Sequence, residues 1–170
     1  MSGSYNMKTA IIYFSLEGNT KHIAEKIAKE LDAKVIRLIP VKEYPTGKVS
    51  KYFWGGKSVT FGECPKLETY QFNASDYDLV ILGTPIWAGT FTPPLRTFLK
   101  QVSLTGKKVA FFASCSGGST ERCFAQLEKE IPNCTVHATL RIVDPNKNQD
   151  AEENNKIINF CATLKAHFEN

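Results

Sequence analysis

Five short apolar runs, with helix-length segments between them, constrain this chain more than any single motif does. They are Thr9 to Phe14, Val35 to Ile39, Leu79 to Leu82, Lys108 to Ser114 and Thr135 to Val143. The first is continuously apolar from Ala10 to Phe14, the pattern of a strand buried on both faces. The segments between carry a different period. Ile23, Ala24, Ile27, Ala28 and Leu31 form a 3.6-residue stripe with Lys21, Lys26, Lys29 and Glu30 outside it. Pro93-Pro94 opens a helix that runs to about Gln101, since proline is favoured in a first turn. Phe124, Leu127 and Ile131 mark a helix over Thr120 to Ile131. A last helix is capped by Asp150, with Glu153 three residues on, and turns Ile157, Ile158, Cys161, Leu164 and Phe168 to the core. Strands alternating with helices predict an α/β fold with a doubly wound parallel sheet, because parallel neighbours need crossover connections.

A chain of 170 residues is enough for one domain, expected over 8–170, with residues 1–7 read as a disordered leader or expression remnant. The net charge of +4 comes from scattered basic residues, which argues against nucleic acid as a partner. No apolar run is long enough to span a bilayer. The five cysteines, 64, 115, 123, 134 and 161, form no C-x-x-C pair, so a reduced cytoplasmic protein is expected. Cys123, Cys134 and Cys161 are expected to be buried, and Cys115 to line a loop. His22, His137 and His167 show no metal-ligand spacing. The stretch Glu43 to Ala74 reads as irregular, with a short helix at Lys48 to Trp54 and Tyr52-Phe53-Trp54 as either its apolar face or a lid.

The chemistry lies in three loops. Ser15-Leu16-Glu17-Gly18-Asn19-Thr20 joins the first strand to the first helix. Its hydroxyls, its glycine and the helix N-terminus behind it suit a phosphate, although Ser, Asn and Thr also serve there as plain caps. Glu17 is expected to contribute backbone only, its carboxylate turned to solvent. Thr84-Pro85-Ile86-Trp87-Ala88-Gly89 follows the third strand, and Ser114-Cys115-Ser116-Gly117-Gly118 ends the fourth. In an open parallel sheet, loops at the carboxyl ends of strands line one crevice. Neither G-x-G-x-x-G nor G-x-x-x-x-G-K-[ST] occurs, which removes the dinucleotide fingerprint and the P-loop. A phosphoacceptor receiver domain fails too, because Ser15 and Thr84-Pro85 stand where it needs acids.

Together the loops resemble those of the flavodoxin family. Ser15 to Thr20 matches its [ST]-x-[ST]-G-x-T phosphate loop except at Glu17, and Trp87 looks like its ring-stacking aromatic. The resemblance implies a five-stranded sheet of order 2-1-3-4-5 with helices on both faces, and FMN as cofactor. Ser15, Leu16, Glu17, Gly18, Asn19 and Thr20 would hold the phosphate. Thr84, Pro85, Ile86, Trp87, Ala88, Gly89, Ser114, Cys115, Gly117 and Gly118 would line the flavin ring. The third loop lacks the second aromatic of many electron carriers, and the chain lacks their strong acidity. The resemblance therefore leaves open a carrier serving redox partner proteins and a reductase using NAD(P)H and a small acceptor such as a quinone. A flavin-free module binding another anion is a third reading.

Overall fold

The computed structural model describes residues 7–45, 62–145 and 151–168. The expected strands form one parallel sheet: β1 (Thr9–Tyr13), β2 (Lys34–Arg37), β3 (Leu79–Pro85), β4 (Lys108–Cys115) and β5 (Thr135–Val143), ordered β2-β1-β3-β4-β5. The helices are α1 (Asn19–Leu31), α2 (Pro93–Gln101), α3 (Glu121–Glu130) and α4 (Ala151–Ala166). Side chains alternate across each strand, so the sheet feeds two cores. Val80, Leu82, Val109 and Phe111 pack with Leu95 and Phe98 of α2 and Phe124 and Leu127 of α3. Leu79, Ile81, Ala110 and Phe112 pack on the other face with Ile23 and Ile27 of α1 and Ile157 and Phe160 of α4.

Several expectations shift. Ile158 does not face the core; it is 49% exposed. The buried stripe is Ile157, Phe160, Cys161 and Leu164, and a neighbour in sequence lies about 100° round the helix from it. Cys134 is only half-buried, with its thiol donating to the Leu104 carbonyl at 2.8 Å. Cys123 and Cys161 are buried as expected, and burial pushes both thiols up to about 12, which keeps them protonated and inert. β2 ends at Arg37 and not Ile39, although the Leu38 N–H still reaches the Tyr13 carbonyl at 2.8 Å. β3 runs on to Pro85, past the expected end at Leu82.

Part of the stretch read as irregular is ordered against the sheet edge. Pro40 and Leu67 form an antiparallel bridge, flanked by Val41 N–H to Lys66 O at 2.9 Å and Glu68 N–H to Ile39 O at 2.7 Å. Tyr70 and Phe72 then lie against the first core, and the Asn73 side chain caps a 3₁₀ turn at Ala74–Asp76. The expected helix at Lys48 to Trp54, the lid at Tyr52 to Trp54 and the Asp150 cap lie outside the described residues. No described helix is long and apolar enough to cross a membrane.

At the amino ends of the strands, His137 of β5 packs on His167, with ring centroids 4.8 Å apart, while Lys108 of β4 lies over the Phe168 ring at 4.1 Å. Desolvation, then His167 and Lys108, hold the His137 imidazole below its usual 6.5. The folded state thus binds fewer protons than the unfolded chain, so this contribution is complete above about pH 6.5 and is lost as pH falls below it. Thermal midpoints are expected to drop between pH 7.5 and pH 5.5, and His137→Gln should flatten that slope. Parallel pH profiles of the two proteins would show the contribution to be absent.

Candidate functional site

β1 delivers Ser15 into the loop as a buried residue, 1% exposed. Its hydroxyl oxygen accepts the Gly18 N–H at 3.1 Å, which folds the loop into a tight turn. Gly18 caps α1 at φ +91°, a conformation that costs other L-residues energy and leaves no side chain over the helix end. The first N–H groups of α1 have no partner within the helix, and no acidic residue stands in its first turn. Leu16 and Asn19 are half-buried. Glu17 is exposed.

Thr20, also 1% exposed, sits in the first turn of α1 and meets Ser114 at the end of β4, with hydroxyl oxygens 2.8 Å apart. Two hydroxyls facing each other use one hydrogen between them and leave the other to find an acceptor. Among the described residues neither hydroxyl has another partner, and the Ser15 hydroxyl hydrogen has none either. Buried donors of this kind are normally satisfied. An anion at the mouth of α1 would accept from them all, so the residues present fit a phosphate.

The second loop is a tight turn. Trp87 and Thr90 exchange both backbone hydrogen bonds at 3.0 Å, while Ala88 (φ +48°) and Gly89 (φ +77°) take the left-handed conformations that such a reversal requires. The Thr90 hydroxyl donates to Gln126 of α3, tying the turn to that helix. Thr84 is fully buried, and its hydroxyl is engaged inside the protein: it donates to the Pro85 carbonyl and accepts the Thr92 N–H at 3.1 Å. Thr84 therefore shapes the loop and offers no donor to a ligand. Ile86 packs on the first core and bonds the Ser114 carbonyl at 3.0 Å, and Pro85 pairs with Ser114 in register. Trp87 itself is half-buried.

In the third loop, Cys115 is half-buried and its carbonyl accepts the Asp144 N–H at 2.8 Å, linking the ends of β4 and β5. Gly117 and Gly118 are exposed at positive φ, and nothing within 4 Å would meet a Cβ on either, so main chain is open to a ligand there.

Tertiary structure adds residues that no motif marks. Arg37 donates to the Ser15 carbonyl at 3.0 Å, setting a guanidinium beside the first loop. Tyr44 packs against Trp87. His22 lies at 3.1 Å and Lys26 at 2.9 Å from the buried Glu153 carboxylate, which clamps α1 to α4. Alternation in β2 could have suggested that Arg37 shares a face with its exposed neighbours. No sequence signal indicated Tyr44.

A doubly wound sheet with a phosphate-type turn after β1, and further loops at the ends of β3 and β4, defines a mononucleotide-binding α/β domain. A family model described as flavodoxin matches residues 8–156. The chain belongs to the flavodoxin family, whose cofactor is FMN. Its fold is similar to that of a flavoprotein from Lactobacillus acidophilus NCFM solved in complex with FMN, at 23% identity and TM-score 0.71, covering 83% of this chain and 95% of that one. It is similar also to two-electron reduced Megasphaera elsdenii flavodoxin, at 19% identity and TM-score 0.55, covering 92% of this chain and 98% of that one. Rubredoxin oxygen:oxidoreductase of Desulfovibrio gigas contains a comparable unit, at 14% identity and TM-score 0.63, covering 95% of this chain but 36% of that one.

Proposed function

We propose that this chain holds FMN non-covalently across the three loops and carries electrons between redox partner proteins. The observation that carries the reading is the set of buried hydroxyls at the start of α1: Ser15 and the Thr20–Ser114 pair each keep one hydrogen with no acceptor among the described residues. With the backbone N–H groups of Asn19 and Thr20, they would take the phosphate oxygens. Trp87 would offer an aromatic face to the ring. Main chain at Gly89, Gly117 and Gly118 would approach the ring's polar edge, where its N–H and C=O groups bias one redox state over another. The bound flavin supplies the electron-transfer chemistry, and this chain orients it, sets its surroundings and limits solvent around it.

Purified protein mixed with FMN is expected to show shifted flavin bands and quenched emission. Under anaerobic conditions, NADPH alone should bleach it slowly, and catalytic amounts of a separate flavoprotein reductase should bleach it fast. Rapid bleaching by NADPH alone would make it a reductase acting on a small acceptor. A colourless protein indifferent to FMN would leave only an anion-binding module. Trp87→Ala should weaken FMN and riboflavin alike by about tenfold, since base-type stacking on an aromatic contributes about 1–3 kcal/mol. Titration of flavin fluorescence measures this, and unchanged quenching would take Trp87 off the ring.

A further inference from the structure

Trp87 is one of three rings that meet edge to face. Its centroid lies 5.6 Å from Phe14 at an interplanar angle of 87°, and 5.2 Å from Tyr44 at 86°. Tyr44 and Phe14 close the triangle at 5.9 Å and 69°. The three members differ in how firmly they are fixed. Phe14 is 3% exposed, and its N–H bonds the Gly83 carbonyl, so it is fixed at the end of β1. Trp87 and Tyr44 are half-buried, and Tyr44 reaches the cluster from the segment after β2, 43 residues before Trp87 in the chain. Phe14 alone would contact the indole from one direction. A second perpendicular ring restricts its rotation, and a side chain ordered beforehand loses less freedom when a ligand arrives. The third loop, Ser116 to Gly118, brings no aromatic of its own to this task.

Resting on the FMN reading above, we propose that Tyr44 is a positioning residue for the flavin, acting through Trp87 to hold the indole in the orientation that receives the ring. This makes the aromatic part of the site a composite of the β1 end, the segment after β2 and the turn after β3.

Because Tyr44 acts on the ring side, its loss should affect FMN and riboflavin equally, unlike a loss in the phosphate loop. Tyr44→Ala is expected to raise both dissociation constants about fivefold to tenfold and to restore part of the quenched flavin emission. Tyr44→Phe should stay within about twofold of wild type, since the edge-to-face contact needs the ring and not the hydroxyl. Tyr44→Leu, which keeps apolar bulk, should behave like Tyr44→Ala and serves in its place if the alanine variant does not fold. In a Trp87→Ala background, Tyr44→Ala should change affinity by less than about twofold, because coupled residues are non-additive. Full additivity, a loss confined to FMN, tighter binding by Tyr44→Ala, or unchanged emission would each overturn the assignment. Wild-type protein that binds neither flavin would overturn the FMN reading itself, a result separable from all of these.

Discussion

Thr20→Val is expected to weaken FMN about 10- to 100-fold while leaving riboflavin within about threefold of wild type. The substitution keeps the shape of the side chain and removes one hydroxyl from a buried pair. A hydrogen bond to a charged group contributes about 1.5–3 kcal/mol, and only FMN carries the phosphate that would receive it. The change also leaves Ser114 without its partner, which costs the fold about 1–3 kcal/mol on its own. A double variant separates the two effects. Thr20→Val with Ser114→Ala removes both hydroxyls, so thermal stability should recover toward wild type while FMN affinity stays low. Fluorescence titration with the two flavins and a thermal melt measure the outcome. Equal losses for FMN and riboflavin would place the phosphate elsewhere.

Gly83→Ala is expected to destabilise the protein by about 1–3 kcal/mol, the cost of overpacking a filled core. Gly83 stands beside Phe112 in the β3–β4 register, and a Cβ on it would meet three atoms of the Phe112 ring at under 3.0 Å. Phe112 is fully buried among residues of α1 and α4, so its ring cannot swing aside without disturbing both helices. The same glycine accepts the Phe14 N–H at 3.2 Å, one residue before the phosphate-type loop. A strand pushed away here would therefore misplace Ser15, and FMN affinity should fall together with the thermal midpoint. Gly83→Ala with Phe112→Leu should recover much of the loss. A Gly83→Ala protein that melts like wild type would show that the ring has room to move.

Much of the fold was legible because periodicity reports burial directly. A continuous apolar run such as Ala10 to Phe14 needs cover on both faces, and the two cores on either side of the sheet supply it. Ile158 was misplaced because it lies just outside the arc of Ile157, Phe160, Cys161 and Leu164, and only packing decides where an apolar arc stops being covered. Lys66 to Glu68, within the stretch read as irregular, were hard to read because their order rests on pairing with Ile39 to Val41 and not on a local repeat.

The sites divide along the same line. Gly18, Gly117 and Gly118 announced themselves through backbone freedom, a local property that residue type carries. Thr20 and Thr84 were both expected at the cofactor, yet the protein absorbs the Thr84 hydroxyl, whereas the Thr20–Ser114 pair keeps one hydrogen without an acceptor among the described residues. What the residues alone determined is the alternation of strands and helices, and which turns carry hydroxyls, glycines and tryptophan, since these follow from period and local geometry. Only tertiary structure decided that Thr20 meets Ser114 across 94 residues, that Arg37 reaches Ser15, and that Tyr44 braces Trp87. Such contacts depend on strand order and register, which bring together groups that no local pattern links.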